Sequence, residues 1–270
     1  MCSQRRSGAI LQALLVGLAV MTLACDQTSE SGGARADLLP TAPTPAEPAP
    51  LGPMRFTDQP WDALTGNGWN YLRRSSSKDA DIAIDPTAPV SPQRVLRIVF
   101  TPDMRRDSEP SVHWAGLSSR PREISTSWAM KLSANWTPSP AGGGKVTFLW
   151  AADGQGQVYS NIAGSSPPHR ININTEWAPY GQKFWEPNMT TTAIDYGQWY
   201  QIEWYVRWES SRGAGDGIMR WSVNGVVNGD HRNVRFPACC FQQFEFAPTR
   251  QNPPRSEQYM YIDHTRVSAP

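Results

Sequence analysis

Between residues 198 and 208, polar and aromatic side chains alternate with apolar ones in a pattern suited to handling a sugar polymer. One alternating set is large and mainly apolar, and the other set is Trp199, Gln201, Glu203, Tyr205 and Arg207. Because alternate residues of a β-strand share a face, the second set would line one surface. Its rings can stack on the CH faces of sugars, and its amide, carboxylate and guanidinium groups can meet hydroxyls. We therefore expect a shallow polysaccharide groove there.

The chain also contains the residue types that β-elimination on a uronic acid requires. One group must neutralise the carboxylate, a base must take the C5 proton, and an acid must protonate the leaving oxygen. Arginine suits the first role, histidine the second and tyrosine the third, or both of the last two once its proton is lost. The candidate catalytic residues are Tyr205, Arg207, His169, Arg170 and Tyr159. The candidate substrate-binding residues, each of which could instead belong to a solvated face, are Trp199, Gln201, Glu203, Asn172, Arg220 and Asn224.

Strand parity groups several of these candidates. The two alternating sets are Arg170, Asn172 and Asn174, and Arg220, Ser222 and Asn224. His169 has the opposite parity to Arg170, so the two side chains would point apart on a regular strand, although strand ends often bend. No His-x-His or His-x3-His spacing occurs in the sequence, so it predicts no zinc site.

Composition and charge exclude several classes of protein. The 270 residues include 24 prolines and 21 glycines, which would interrupt a coiled coil or a helical repeat. With 18% charged and 39% hydrophobic residues, the chain is neither a disordered polyelectrolyte nor a multi-span membrane protein. The formal net charge of +1 gives no general attraction to nucleic acid, which we do not expect as a partner. The 12 tryptophans indicate an aromatic core, a surface that stacks flat ligands, or both.

The elements that would position these residues are β-strands. Nine segments have strand composition: residues 94–100, 124–132, 145–151, 157–163, 170–177, 198–208, 218–223, 241–246 and 258–267. Turn-forming residues separate them, and no stretch of the domain keeps a helical period over three turns. Asn224-Gly225 between valines predicts a two-residue hairpin loop. This pattern predicts an all-β, antiparallel sandwich or barrel.

The N-terminal segment has the features of an export signal. Arg5 and Arg6 precede an apolar run from residue 9 to residue 23, which is too short for a comfortable membrane span. Residues 22–25, Thr-Leu-Ala-Cys, resemble the lipobox of bacterial lipoproteins, which implies lipidation at Cys25. We therefore predict a signal peptide over 1–24, a Pro/Ala-rich disordered tether over 25–53 and a single domain over 54–270.

Residues 197–225, GQWYQIEWYVRWESSRGAGDGIMRWSVNG, resemble the central hairpin of concanavalin A-like jelly rolls. The last strand, residues 261–267, resembles the closing strand of that superfamily, and residues 124–136 resemble its polysaccharide-lyase-like branch. The resemblance implies a jelly-roll β-sandwich. It also implies a structural calcium ion at Asp263, for which a simple hydrogen-bonding role is the alternative.

The sequence departs from the enzymes of this superfamily in two ways. The Glu-x-Asp-x-(x)-Glu motif of laminarinase-type glucanases is missing, since Glu203 stands alone between apolar residues. We therefore do not expect glycoside hydrolysis by that route. Alginate-lyase-type members have a Gln-x-His motif, where this chain has Gln157-Val158-Tyr159. The similarity to that group is partial.

Cys239 and Cys240 are adjacent, and neighbours on a regular strand point to opposite faces. We expect two buried thiols, with a vicinal disulfide in a binding site as the alternative.

Together these features predict a monomeric, lipid-anchored protein of the bacterial cell envelope that engages polysaccharide. The leading hypothesis is a lyase that cleaves an acidic glycan by β-elimination and requires no cofactor. The alternatives are a non-catalytic, lectin-like surface protein and a structural envelope component whose tryptophans are all in the core.

Overall fold

Antiparallel strands build the part of the chain that the computed structural model describes, namely residues 54–75, 77–139, 144–152, 154, 156–177, 181–236 and 239–269. This part contains fifteen strands and no α-helix. The strands are β1 (Met54–Gln59), β2 (Trp69–Arg73), β3 (Ala80–Ala83), β4 (Val95–Phe100), β5 (Ser111–Gly116), β6 (Glu123–Leu132), β7 (Gly144–Ala151), β8 (Gly156–Ala163), β9 (Arg170–Trp177), β10 (Gly181–Trp185), β11 (Trp199–Arg207), β12 (Gly217–Val223), β13 (Val226–Val234), β14 (Phe241–Thr249) and β15 (Gln258–Ser268).

Two sheets form the sandwich. Sheet A has the order β13-β12-β11-β6-β15-β4-β3, with β1 paired to β15, and sheet B has the order β10-β9-β8-β7-β14-β5-β2. Neighbouring strands are antiparallel throughout, and many of them are distant in sequence, such as β6 and β15. The predicted all-β jelly-roll sandwich is confirmed.

The inner faces of the two sheets meet in an aromatic core. On β11 the alternating residues Tyr200, Ile202, Trp204 and Val206 are buried, as their parity predicts. The largest fully buried side chains include Trp128, Trp204, Trp221, Phe244 and Phe246. Much of the tryptophan excess is therefore explained by the core.

The predicted hairpin loop is also confirmed. Val223 pairs with Val226 across the two-residue loop, and Asn224 and Gly225 have φ values of 52° and 75°. Both positions require positive φ, which asparagine and glycine adopt most readily. The nine predicted strands all occur, with ends shifted by three residues or fewer.

The predicted signal peptide, Cys25 and the tether lie outside the described residues. Within the described segments, no helix is both long and apolar enough to cross a membrane.

The packing of sheet B against sheet A requires a glycine at position 156. A Cβ at this position would overlap the ring of Trp177, which packs against Trp208 and Phe236 at centroid distances of 5.5 and 5.9 Å. We expect Gly156→Ala to lower the free energy of unfolding by about 1–3 kcal/mol, because the core must shift to admit a methyl group. Urea unfolding measures this loss.

Gly116→Ala is the matched control. Gly116 also lies on a strand of sheet B, and a Cβ there meets nothing within 4 Å. We expect its effect to stay within about 0.5 kcal/mol. Equal effects of the two substitutions would contradict the proposed close contact at Trp177.

Candidate functional site

The predicted site residues lie on two opposite surfaces of the sandwich. Sheet A carries on its outer face Trp199, Gln201, Glu203, Tyr205, Arg207, Arg220 and the hairpin residue Asn224. Sheet B carries Tyr159 on β8, and Arg170 and Asn172 on β9. Because the sheets pack through their inner faces, one substrate cannot contact both groups. The expectation that these candidates form one site is therefore corrected.

On sheet A the predicted catalytic residues bond to neighbouring protein groups. The Tyr205 hydroxyl donates to Glu123 Oε1 at 2.8 Å, and Arg207 Nη2 donates to the carbonyl of Asp216 at 3.1 Å. Burial and the Glu123 carboxylate raise the pKa of Tyr205. Arg220 lies directly opposite Tyr205 on β12.

The predicted binding residues of sheet A are also engaged. Glu203 Oε2 accepts from the Ser222 hydroxyl at 2.7 Å, and the Trp199 indole donates to Thr87 at 3.1 Å. Asn224 Oδ1 accepts the backbone N–H of Gln201 at 2.8 Å. This face largely satisfies its own polar groups.

The outer face of sheet B is ordered in rows that cross the strands. The central row, formed by direct cross-strand partners, is Phe184, Asn174, Tyr159, Phe148, Glu245, Trp114 and Asn70. The row on one side is Gln182, Glu176, Gln157, Trp150 and Gln243. The row on the other side is Asn172, Asn161, Lys145 and Thr249.

A groove of about 380 Å³ lies above these rows. The residues that line it are Gly144, Lys145, Tyr159, Asn161, Asn174, Glu176, Gln182, Phe184, Thr249 and Gln251. The lining combines amides, two rings, one cation and one carboxylate. It is a concave polar surface of the size that holds part of an oligosaccharide.

Tyr159 and Lys145 form the centre of this groove. Lys145 Nζ lies 4.4 Å from the centroid of the Tyr159 ring and 3.4 Å from Glu176 Oε2. The Gln182 amide donates to the Tyr159 hydroxyl. Burial raises the pKa of Tyr159, the nearby Glu176 charge adds to this rise, and a hydrogen bond from Asn174 opposes it. The phenol is therefore neutral at neutral pH and has a proton to donate.

Several amides around the centre retain free hydrogen-bonding capacity. Gln157 Nε2 donates to Glu176 Oε2 at 2.9 Å, while Gln157 Oε1, Asn172 Oδ1 and Asn174 Oδ1 are buried and have no partner among the described residues. Unpartnered buried acceptors are costly, and a ligand or water commonly satisfies them. Of these three residues, Asn174 lines the groove, and Gln157 and Asn172 lie beside it as cross-strand partners of the lining residues Glu176 and Asn161.

The other predicted residues of β9 lie beside the centre. Arg170 Nε contacts Glu186 Oε2 at 2.8 Å, and Asn172 donates to Glu186 Oε1 at 3.2 Å. His169 is buried, with Nδ1 3.1 Å from the Gly164 carbonyl and Nε2 2.7 Å from the Tyr196 hydroxyl. Burial lowers the pKa of His169. With both ring nitrogens engaged, His169 does not face the groove as a free base.

Lys145 was missed by sequence reasoning because of a β-bulge. The register of β7 and β8 shifts between Lys145 and Phe148, so both side chains face outward although three positions separate them. Counting alternate residues puts them on opposite faces. The available signal was the scarcity of lysine, since only four occur in the chain.

Asp263 anchors a loop. The carboxylate accepts the backbone N–H of Val90 at 2.8 Å and that of Ser91 at 3.0 Å, and the side chain is fully buried. Two converging N–H donors occupy positions that a cation would need, and the described residues contain no group of three or more His, Cys, Asp or Glu able to hold a metal. These residues do not fit a calcium ion, and the hydrogen-bonding alternative accounts for Asp263.

The adjacent cysteines form a disulfide, Cys239–Cys240. Cys239 is exposed and Cys240 is half-buried. The expectation of two buried thiols is therefore wrong, and the vicinal disulfide is the observed state.

No family model and no curated protein matches this chain. Several solved structures are similar. An endo-β-1,4-glucuronan lyase from the fungus Trichoderma reesei has a TM-score of 0.55 and 14% identity over 79% of this chain and 96% of that chain. An alginate lyase has a TM-score of 0.53 and 13% identity over 66% and 82%. A mutant of that lyase with alginate trisaccharide has a TM-score of 0.50 and 12% identity over 65% and 82%. At these identities the comparison establishes the fold.

The geometry of Asp263 generates a stability prediction. We expect Asp263→Ala to lower the free energy of unfolding by about 2–3 kcal/mol, because two backbone donors lose a charged acceptor. We also expect calcium or a chelator to leave the melting temperature of the wild type unchanged. Thermal and urea unfolding measure both effects.

Asp62→Ala is the control, because Asp62 forms an exposed ion pair with Arg94 that contributes little. A rise in melting temperature with calcium in the wild type, absent from Asp263→Ala, would instead support a metal site.

Proposed function

We propose that this protein is a polysaccharide lyase that cleaves an acidic glycan by β-elimination in the groove of sheet B. The observation that carries the proposal is the neutral, buried phenol of Tyr159 beside the Lys145 ammonium, surrounded by amides. A proton donor, a basic nitrogen and amide donors are the groups that elimination requires.

Amide groups provide the neutralisation of the substrate carboxylate. The Gln182 amide donates to the Tyr159 hydroxyl, and Asn174 is the direct cross-strand partner of Tyr159, so their N–H groups are grouped at the reaction centre. Hydrogen bonds to the uronate oxygens would stabilise the charge that develops on the carboxylate as the C5 proton leaves. Protonated Lys145 would attract the glycan before the reaction.

Lys145 and Tyr159 divide the proton transfers. Lys145, in its unprotonated form, takes the C5 proton of the uronate. The C5–H electron pair forms the C4–C5 double bond, and the C4–O bond breaks. Tyr159 donates its proton to the leaving oxygen, and the resulting phenolate regains a proton from the adjacent Lys145 ammonium. The protein returns to its starting state, and the products are a shortened chain and an unsaturated uronide.

The structural comparisons support this choice of substrate class. Two of the similar structures are named for lyases of glucuronan and alginate, both of which are polymers of uronic acids. The fold hosts many functions, so the support depends on the groove residues of this chain rather than on the likeness alone.

Glycan binding without cleavage is the second candidate. The ion pair of Lys145 with Glu176 favours it, since an ammonium group paired with a carboxylate has no lone pair with which to take a proton. The exposed ring of Phe184 and the partly exposed ring of Trp150 on the same face could hold a sugar chain by stacking.

Tyrosine-to-phenylalanine substitutions on the two faces test the site. We expect Tyr159→Phe to reduce kcat about 10²–10⁴-fold, because the leaving oxygen loses its acid. Absorbance of the unsaturated uronide over alginate, glucuronan, pectate and glycosaminoglycans measures the rate. Because burial raises the pKa of Tyr159, any loss of its proton donation should occur only above about pH 10.

Tyr205→Phe is the matched control, because the same hydroxyl is removed from the outer face of sheet A. We expect this variant to keep the wild-type rate. Loss of activity in Tyr205→Phe with retention in Tyr159→Phe would place the chemistry on sheet A. Glycan binding without product from any substrate would favour the lectin-like candidate.

We also propose that the protein is a monomeric, extracytoplasmic lipoprotein of a bacterial envelope, anchored through acylated Cys25. The basic start, the apolar run and the lipobox-like residues 22–25 support this proposal. In a bacterial host we expect Cys25→Ser to abolish incorporation of a clickable fatty acid and to release the protein from membranes. Cys2→Ser, within the predicted signal peptide, should leave labelling intact. Equal labelling of both variants would contradict the anchor.

A further inference from the structure

The central row continues well beyond the reaction centre. From Tyr159 it crosses Phe148 on β7 and reaches Glu245 on β14, followed by Trp114 on β5. Two strand spacings separate the backbones of Tyr159 and Glu245, which is about 10 Å. A sugar bound over Glu245 is therefore not the sugar that carries the reacting proton.

Aromatic rings surround Glu245. Trp114 and Trp150 are half-buried, and Trp150 stacks on Phe148 at a centroid distance of 5.9 Å with an interplanar angle of 12°. Phe148 in turn contacts Tyr159, with ring centroids 5.5 Å apart. Phe148 and Tyr159 are buried, and the partly exposed rings that pack against their cluster, on which a sugar could stack, are Trp114 and Trp150.

The Glu245 carboxyl is placed to bind a polar but uncharged group. Glu245 is only 6% exposed, and the Gln243 amide donates to Oε2 at 2.6 Å. Burial raises the pKa of Glu245. A carboxyl group in such surroundings hydrogen-bonds favourably to a sugar hydroxyl or an acetamido N–H and unfavourably to another carboxylate.

Positive charge is found in the groove, which Lys145 lines, and not at Glu245, which lies outside the groove lining. Lys145 lies beside Tyr159, whereas the outer-face residues around Glu245 in the central row and in the row of Gln243 are Phe148, Trp114, Trp150 and Gln243, all aromatic or amide side chains. The positive charge of Arg74 acts on Glu245 from a distance, but the Arg74 guanidinium is itself paired with the Glu109 carboxylate at 2.9 Å. A uronate bound here would lose water without gaining a cationic partner of its own.

We infer that the substrate is a mixed glycan in which uronic acids are interspersed with uncharged sugars, and that Glu245 and Trp114 bind an uncharged sugar. This inference rests on the proposed lyase function and extends it by assigning specificity. The uronate would be placed at Lys145 and Tyr159, and the neutral or N-acetylated sugar over the acidic, aromatic part of the row.

Initial rates on two groups of polymers test the inference. The homopolymers are glucuronan, alginate and pectate, and the mixed polymers are hyaluronan, chondroitin and heparosan. We expect the best mixed polymer to exceed the best homopolymer in kcat/KM by at least about tenfold. Glu245→Gln should reduce this ratio about tenfold, because it removes the acid while keeping the size and polarity of the side chain. Glu203→Gln, on the exposed outer face of sheet A, should leave the ratio unchanged.

Trp114→Ala provides a second variant in case Glu245→Gln fails to fold, since its ring is partly exposed. We expect it to raise KM for the mixed polymer about tenfold with little change in kcat, because it removes stacking away from the reacting bond. A homopolymer preference that neither variant alters would overturn the inference and leave the lyase function standing. No unsaturated product from any polymer would instead defeat the proposed function, and this inference with it.

Discussion

The aromatic packing between the two sheets is the interaction on which the rest of the structure depends. Trp128, Trp204 and Trp221 of sheet A are fully buried, and Phe244 and Phe246 of sheet B contact Trp128. Burying rings of this size on one face of each strand commits the alternate residues to the other face. The residues that lie on both outer surfaces of the sandwich, including those of the candidate site, are therefore determined by which residues are buried in the core.

The two outer surfaces differ in how their polar groups are satisfied. On sheet A, Tyr205, Arg207 and Glu203 each have a protein partner within 3.1 Å. On sheet B, acceptors of Asn172 and Asn174 are buried without one among the described residues. A surface that has paired its own groups must break those bonds to bind a ligand, whereas unpaired groups gain from binding. This difference favours the groove of sheet B as the binding surface.

A local irregularity brings the central side chains of that groove together. The bulge on β7 turns Lys145 to the same side as Phe148, and this places the ammonium over the Tyr159 ring. Burial raises the pKa of the Tyr159 phenol, and the Gln182 amide donates to its hydroxyl. Cation, phenol and amide donors thus come from four adjacent strands, β7 to β10, none of which contains all of them.

The sequence by itself determined the all-β class, most strand positions, the Asn224-Gly225 hairpin and the inward set of β11, because alternation and turn chemistry are local properties. Several short strands, such as β3 and β10, lacked enough residues to show a period. Only the tertiary structure decided which candidates share a surface. In the structure, Tyr205 and Arg207 lie on a different sheet from Tyr159, and Lys145 lies over the Tyr159 ring. Asp263 accepts hydrogen bonds from two backbone N–H groups. Sheet order and bulges depend on pairing between residues far apart in the chain, and no local pattern encodes which outer face a strand will share.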